Sequence, residues 1–196
     1  DLKEMASLKV EKVLTGPITL EINDKDRGYL EEFYTIIDHP FERRLLEFLS
    51  RLFKEDVEVG KDRNFINRFA ILGAEVVRQH PDFPYIICEI ETYKGCYWRK
   101  CSFCIERFHR LEMREPKAVI KEISALYKNG VRYFRLGNQT DFFTYMADFR
   151  YDTPKPNPDF MKRFHESIWR NCPKIRTLHL DNVNPKTIAE HPEESR

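Results

Sequence analysis

Apolar residues recur along the chain in two rhythms, and the rhythm changes near residue 85. In the first part Leu45, Leu46, Phe48, Leu49, Leu52 and Phe53 recur at helical spacing, which predicts a helix over 42–55 with Arg43, Arg44, Arg51 and Lys54 on its solvated face. Phe65, Phe69, Leu72 and Val76 follow the spacing i, i+4, i+7, i+11 and predict a second helix, stopped by His80-Pro81-Asp82-Phe83-Pro84. Ahead of both, Val10, Val13 and Leu14 precede Gly16-Pro17, and Ile18, Leu20 and Ile22 then alternate, a pattern of one or two strands with a turn. Leu30, Phe33 and Ile37 predict a short amphipathic segment halted near His39-Pro40. The stretch 57–63 reads as a charged connector.

From residue 85 onward strand-like runs alternate with helical ones. The run 85–92 lies between Pro84 and Gly95; it sets Ile86, Cys88 and Ile90 on one face and Tyr85, Ile87, Glu89 and Glu91 on the other. Two carboxylates on one strand face need partners or water, because an unpaired buried charge is costly or shifts its pKa. Pro116 opens a helix whose buried stripe is Val119, Ile120, Ile123, Leu126 and Tyr127, with Gly130 as its C-terminal cap. A strand over 131–136 follows. After a Pro-rich loop, Asn157-Pro158 starts a helix over 159–170 that turns Phe160, Phe164 and Ile168 inward. A strand over 175–180 comes next, and Pro185 opens another helix. Strand, helix, strand, helix, strand, helix is the order of an α/β fold with a parallel sheet and right-handed crossovers. The domain boundary is expected at Pro81-Asp82-Phe83, giving segments 1–82 and 83–196.

Composition narrows the class. With 41% hydrophobic and 33% charged residues the 196-residue chain reads as soluble and globular. The 33 basic and 32 acidic residues leave a net charge of +1, so no global field for a polyanion is implied. No apolar run approaches the roughly 18 residues of a membrane span and no signal peptide opens the chain, so a cytoplasmic, reducing location without membrane attachment is the expectation. The chain starts at Asp1 and stops a few residues into a new helix, which reads as a piece of something longer.

Five cysteines are an odd count, and three of them, Cys96, Cys101 and Cys104, fall on one short segment directly after a strand. Neighbours on so short a loop rarely reach disulfide geometry. Thiolates select soft metals, which leaves zinc and iron–sulfur. Structural zinc wants four closed positions, and Cys88, Cys172 and His109 are the candidates for a fourth. Three thiolates alone suit a four-iron cluster with one iron open to a ligand. Tyr97 and Trp98, inside the loop, suit shielding a cluster or stacking on a base. The loop and two further polar clusters, Gly137-Asn138-Gln139-Thr140-Asp141 and Asp181-Asn182-Val183-Asn184, all leave C-terminal strand ends, where parallel α/β folds collect ligands.

The segment Lys94-Gly95-Cys96 followed by Cys101-Ser102-Phe103-Cys104 resembles the cluster loop of the radical S-adenosylmethionine superfamily, with four residues in place of the usual three between the first two cysteines. The wording around 87–96, 134–139 and 180–185 is similar to one prokaryotic branch of it, and the likeness covers roughly 69–196. It implies a partial (β/α) barrel whose first three strand–helix units occupy 83–196, with 1–82 as the end of an N-terminal, Rossmann-like domain or a barrel cap. Barrels of about six or eight units need ~30 residues each, so an open three-stranded sheet with helices on one side and an apolar flank beside the last strand is expected here. The barrel lumen would then partner Glu89 and Glu91; a half-exposed edge strand would solvate them instead.

By the same resemblance Cys96, Cys101 and Cys104 would hold a 4Fe-4S cluster, and S-adenosyl-L-methionine would chelate its open iron and be cleaved reductively to a 5′-deoxyadenosyl radical. Phe103 matches the aromatic position against the adenine. Gly137, Asn138 and Gln139 stand where the family's Gly-Gly-Glu holds the methionine amino group, so an uncharged amide replaces a carboxylate. An electron donor of flavodoxin or ferredoxin type is implied. A helix-hairpin-helix motif that the branch carries beyond this region implies a nucleic acid, with RNA modification as the reaction context.

Overall fold

The computed structural model describes residues 8–38, 41–54 and 64–196, which divide into two compact units, Asp1–Lys61 and Asp62–Arg196. In the first unit β1 (Val13–Thr15) pairs in parallel with β2 (Thr35–Ile37). The residues after β1, expected as a strand, form a 3-10 turn over Pro17–Leu20. Gly16 takes a φ of 93°, and the amide and hydroxyl of Thr19 both donate to its carbonyl, at 3.1 and 2.9 Å. Next comes α1 (Asp24–Glu31), capped by Asn23, whose side-chain oxygen accepts the Asp26 amide at 3.0 Å. This helix buries no residue, so no apolar period announces it. Leu30, Phe33 and Ile37 therefore divide among helix, turn and strand, and of the three Ile37 is the buried one. Arg27 forks onto Asp38 with bonds of 2.9 and 2.6 Å, which hold the Asp38 carboxyl below its usual range. Helix α2 (Phe41–Phe53) matches the expected helix; the connector 57–63 lies outside the described residues.

The second unit begins with α3 (Asn64–Leu72), which tightens at Gly73 into a 3-10 helix over Gly73–Gln79. Ala74 and Val77 pack into this unit's core, so the division falls after Lys61, ahead of the boundary expected from Pro81 and Pro84. Three strands form the central sheet in the order β3 (Ile87–Glu91), β6 (Tyr133–Gly137), β7 (Thr177–Leu180), all parallel. Between β3 and β6 the chain makes an antiparallel ribbon of β4 (Tyr93–Lys94) and β5 (Glu112–Met113), and then α4 (Pro116–Lys128). Between β6 and β7 runs α5 (Pro158–Asn171), and α6 (Pro185–Glu190) follows β7. Pro116, Pro158 and Pro185 each stand in the first turn of their helices, where the missing N–H is no loss.

One face of the sheet carries Ile90, Phe134 and Leu136, all about 1% exposed or less, against Val119, Ile123 and Leu126 of α4 and Phe164 and Ile168 of α5. Each such buried side chain contributes about 1.5–3 kcal/mol. The opposite face stays open: Ile87 is 65% exposed, and Glu89, Arg135 and His179 stand in register across the three strands. Glu89 finds its partner on the next strand, since Arg135 approaches it at 3.8 Å while also bonding Asp181. Beside β7 the side chains of Leu180, Val183 and Ile188 are exposed. The fold is thus mixed α/β with parallel strands in an open sheet, and the described residues form no closed barrel. No helix among the described residues is long and apolar enough to cross a membrane.

Candidate functional site

The C-terminal ends of β3, β6 and β7 share one rim, and the three loops leaving it enclose a cavity of about 600 Å³. Cys96, Cys101 and Cys104 line it from the first loop, Asn138, Gln139, Thr140 and Asp141 from the second, and Asn182, Asn184 and Lys186 from the third. The last two loops turn in the same way. Asn138 and Asn182 adopt φ of 58° and 62° just past their strands, a left-handed conformation that Asn tolerates better than most residues.

Gln139 ties the three strand ends together. Its Oε1 accepts the Thr92 hydroxyl at 3.1 Å, its Nε2 donates to the carbonyls of Leu136 at 2.8 Å and Asp181 at 3.0 Å, and its own carbonyl accepts from Asn182 Nδ2 at 2.7 Å. The side chain is 2% exposed. Its amide is thus committed to the frame of the site.

A second buried knot lies beside it. The Tyr93 hydroxyl donates to the Asp141 carbonyl and accepts from the Asp141 amide, and the Asp141 carboxylate accepts from the Phe143 amide at 3.1 Å and the Thr187 hydroxyl at 2.6 Å. Burial pushes the Asp141 carboxyl up, against the hydrogen bonds from Thr187, Asn184, Phe143 and Thr144. Burial likewise pushes the Tyr93 phenol up. These bonds fix the loop after β6 to the start of α6.

The cysteine loop is closed at its stem by the β4–β5 ribbon, with Tyr93 opposite Met113 and Lys94 opposite Glu112. Gly95 follows with a φ of 86°, and a Cβ there would stand 2.5 Å from the Arg110 carbonyl oxygen. Entering and leaving chains therefore touch, which requires glycine. Arg99 crosses the loop to donate to the His109 carbonyl at 2.8 Å. Trp98 carries two ammonium groups near its ring, Lys100 at 4.7 Å and Lys186 at 4.4 Å from the centroid.

All five cysteines are free thiols. The three loop thiols are half-buried on one cavity wall, and thiols so grouped have the donor chemistry of an iron–sulfur or zinc site. As the loop stands, no group of three or more His, Cys, Asp or Glu side chains among the described residues is gathered closely enough to hold a metal ion. The fourth-ligand candidates lie elsewhere. Cys88 lines a different cavity beside Val77 and Ile86, Cys172 is buried against Ser124 at 3.8 Å, and His109 is buried at the loop stem 3.4 Å from Glu106.

Of the other expected site residues, Phe103 is 88% exposed at the cavity wall, and Asn138 is exposed, its amide donating to Glu91 at 3.3 Å. Gly137 is buried, and the place its Cβ would take is filled by the Glu89 carboxylate. Sequence reasoning passed over Tyr93, Thr187 and Lys186, and named Asp141 only as the last member of a polar run at a strand end; Tyr93 and Thr187 carried no signal.

No family model matches the chain, and no solved structure matches it. An uncharacterised protein of Archaeoglobus fulgidus is 58% identical over 196 residues, 98% of this chain and 35% of its own length. An uncharacterised protein of Methanocaldococcus jannaschii is 35% identical over 216 residues, all of this chain and 40% of its own length. The chain thus spans two-fifths or less of these curated relatives.

Proposed function

We propose that this region is the cofactor-binding part of an iron–sulfur enzyme of the radical S-adenosylmethionine type, built on the opening units of a (β/α) barrel. The observation that carries the reading is a cavity at the C-terminal ends of three parallel strands, with three free thiols on one wall and polar loops on the others. Cys96, Cys101 and Cys104 would hold the cluster. Bound there, it would supply the electron for reductive cleavage of S-adenosylmethionine. Around it the chain offers what an adenosyl amino acid needs: the aromatic surfaces of Tyr97, Trp98 and Phe103, the side-chain amides of Asn138 and Asn184, and the Lys186 ammonium. Gln139 serves as frame, so amide recognition falls to its exposed neighbour Asn138.

Zinc held by the same thiols finds less support, because Cys88 and Cys172 lie away from the cavity and His109 is buried behind its wall against Glu106. Protein reconstituted with iron and sulfide without oxygen should be brown, and with added S-adenosylmethionine, reductant should drive its cleavage to methionine and 5′-deoxyadenosine. Replacing the three loop cysteines together by Ala should abolish both. A colourless protein holding stoichiometric zinc sinks the reading. The nucleic-acid class of substrate is checked separately by salt-dependent affinity for RNA.

A further inference from the structure

Building on the reading of Cys96, Cys101 and Cys104 as ligands, we infer that Glu106 is a positioning residue that sets the first and last of these thiols against the same cavity. Glu106 stands two residues beyond Cys104, and its Oε2 accepts the amide of Gly95, the residue before Cys96, at 2.7 Å. One hydrogen bond therefore joins the chain just ahead of the first thiol to the chain just behind the last, across eleven residues of sequence. The same oxygen lies 3.4 Å from Nδ1 of the buried His109, and Glu106 itself lines the cavity that the thiols line.

Glu106 is not what closes the loop. The β4–β5 ribbon does that, the packing of Gly95 on the Arg110 carbonyl makes the stem tight, and the Thr140 hydroxyl holds the Gly95 carbonyl at 3.2 Å. With the stem already fixed, the Glu106 bond ties the other half of the loop, the 3-10 turn Ile105–Phe108 that holds itself by its own backbone bonds, to the chain just ahead of Cys96. A carboxyl group suits the task because its oxygen accepts the Gly95 amide without needing a donor geometry of its own.

The test compares Glu106→Ala with Glu106→Gln, which keeps an acceptor oxygen for the Gly95 amide, in the protein prepared without oxygen. In the metal-free protein, iodoacetamide labelling of each cysteine is followed by mass spectrometry. Glu106→Ala should label Cys96 and Cys104 about tenfold faster, with Cys88 and Cys172 unchanged, whereas Glu106→Gln should stay within about twofold of the parent. In the reconstituted protein, Glu106→Ala should lose iron to a chelator about tenfold faster and Glu106→Gln should restore retention, the size of effect known for groups that orient metal ligands. Should Glu106→Ala fail to fold, Glu106→Asp, which withdraws the carboxylate by one methylene, replaces it in both arms. Labelling and iron loss equal to the parent overturn the inference. A parent protein that takes up no iron overturns the metal reading alone, and the labelling arm then decides the role of Glu106 by itself.

Discussion

The hydroxyl of Tyr93 is bonded to both backbone groups of Asp141, donating to its carbonyl at 2.6 Å and accepting from its amide at 2.7 Å. Tyr93 lies at the entrance to the cysteine loop and Asp141 at the far end of the loop after β6, so one side chain sets the spacing of two cavity walls. Tyr93→Phe keeps the ring and leaves a buried amide and a buried carbonyl without this partner. Unsatisfied groups of this kind cost about 1–3 kcal/mol each, so a loss of about 3 kcal/mol is expected. A lowered urea midpoint at unchanged slope would record it.

Gln139 makes a sharper prediction because its amide has a direction. Nε2 faces two carbonyls, those of Leu136 and Asp181, and Oε1 faces the Thr92 hydroxyl. Gln139→Glu sets a carboxylate oxygen opposite those carbonyls and should cost about 3 kcal/mol or more at neutral pH. Burial would raise the new carboxyl's pKa above its unfolded value, so the penalty should shrink as pH falls and the protonated acid regains a donor. A penalty independent of pH would mean the side chain had swung out to water.

The alternation of strands and helices after residue 85 is legible in the sequence because proline and asparagine punctuate it: Pro116, Asn157-Pro158 and Asn184-Pro185 mark three helix starts that the backbone adopts. The thiol loop and the polar strand ends are legible for a similar reason, since such residue types cluster in few other places. Three things are not. Helix α1 buries no residue and so has no apolar stripe. The β4–β5 ribbon has two residues a side, too few for any period. The role of Gln139 depends on carbonyls contributed by β6 and by the loop after β7, partners that no local pattern names.

Gly95 and Gly137 should respond differently to the same change. At Gly95 a Cβ would meet the backbone carbonyl of Arg110 at 2.5 Å, and φ is 86°, so Gly95→Ala suffers both strain and a clash that cannot swing away. A cost of at least about 2 kcal/mol follows. At Gly137 the obstructing atoms are side-chain ends, the Glu89 carboxylate and Arg135 Nε, both half-exposed and able to rotate. Gly137→Ala should stay within about 1 kcal/mol of the parent. Thermal melts of the two variants side by side test the contrast, and equal losses would contradict it.

Asp141 contributes a pH dependence of its own. Its folded pKa is raised, chiefly by burial, so between the ordinary aspartate value near ~3.9 and the raised value the folded protein keeps a proton that the unfolded chain has released. This group's contribution therefore falls as pH rises through that window, with a slope of at most about 1.4 kcal/mol per pH unit for one proton. Asp141→Asn cannot ionise. Its amide oxygen can still accept the Phe143 amide, and its nitrogen can face the Thr187 hydroxyl, which rotates to accept. The stability of the variant relative to the parent should thus climb with pH across the window and level off above it. Denaturant titrations of both proteins at a series of pH values read this difference directly. A difference that declines with rising pH would show that the donors around Asp141 outweigh its burial and hold the carboxylate ionised.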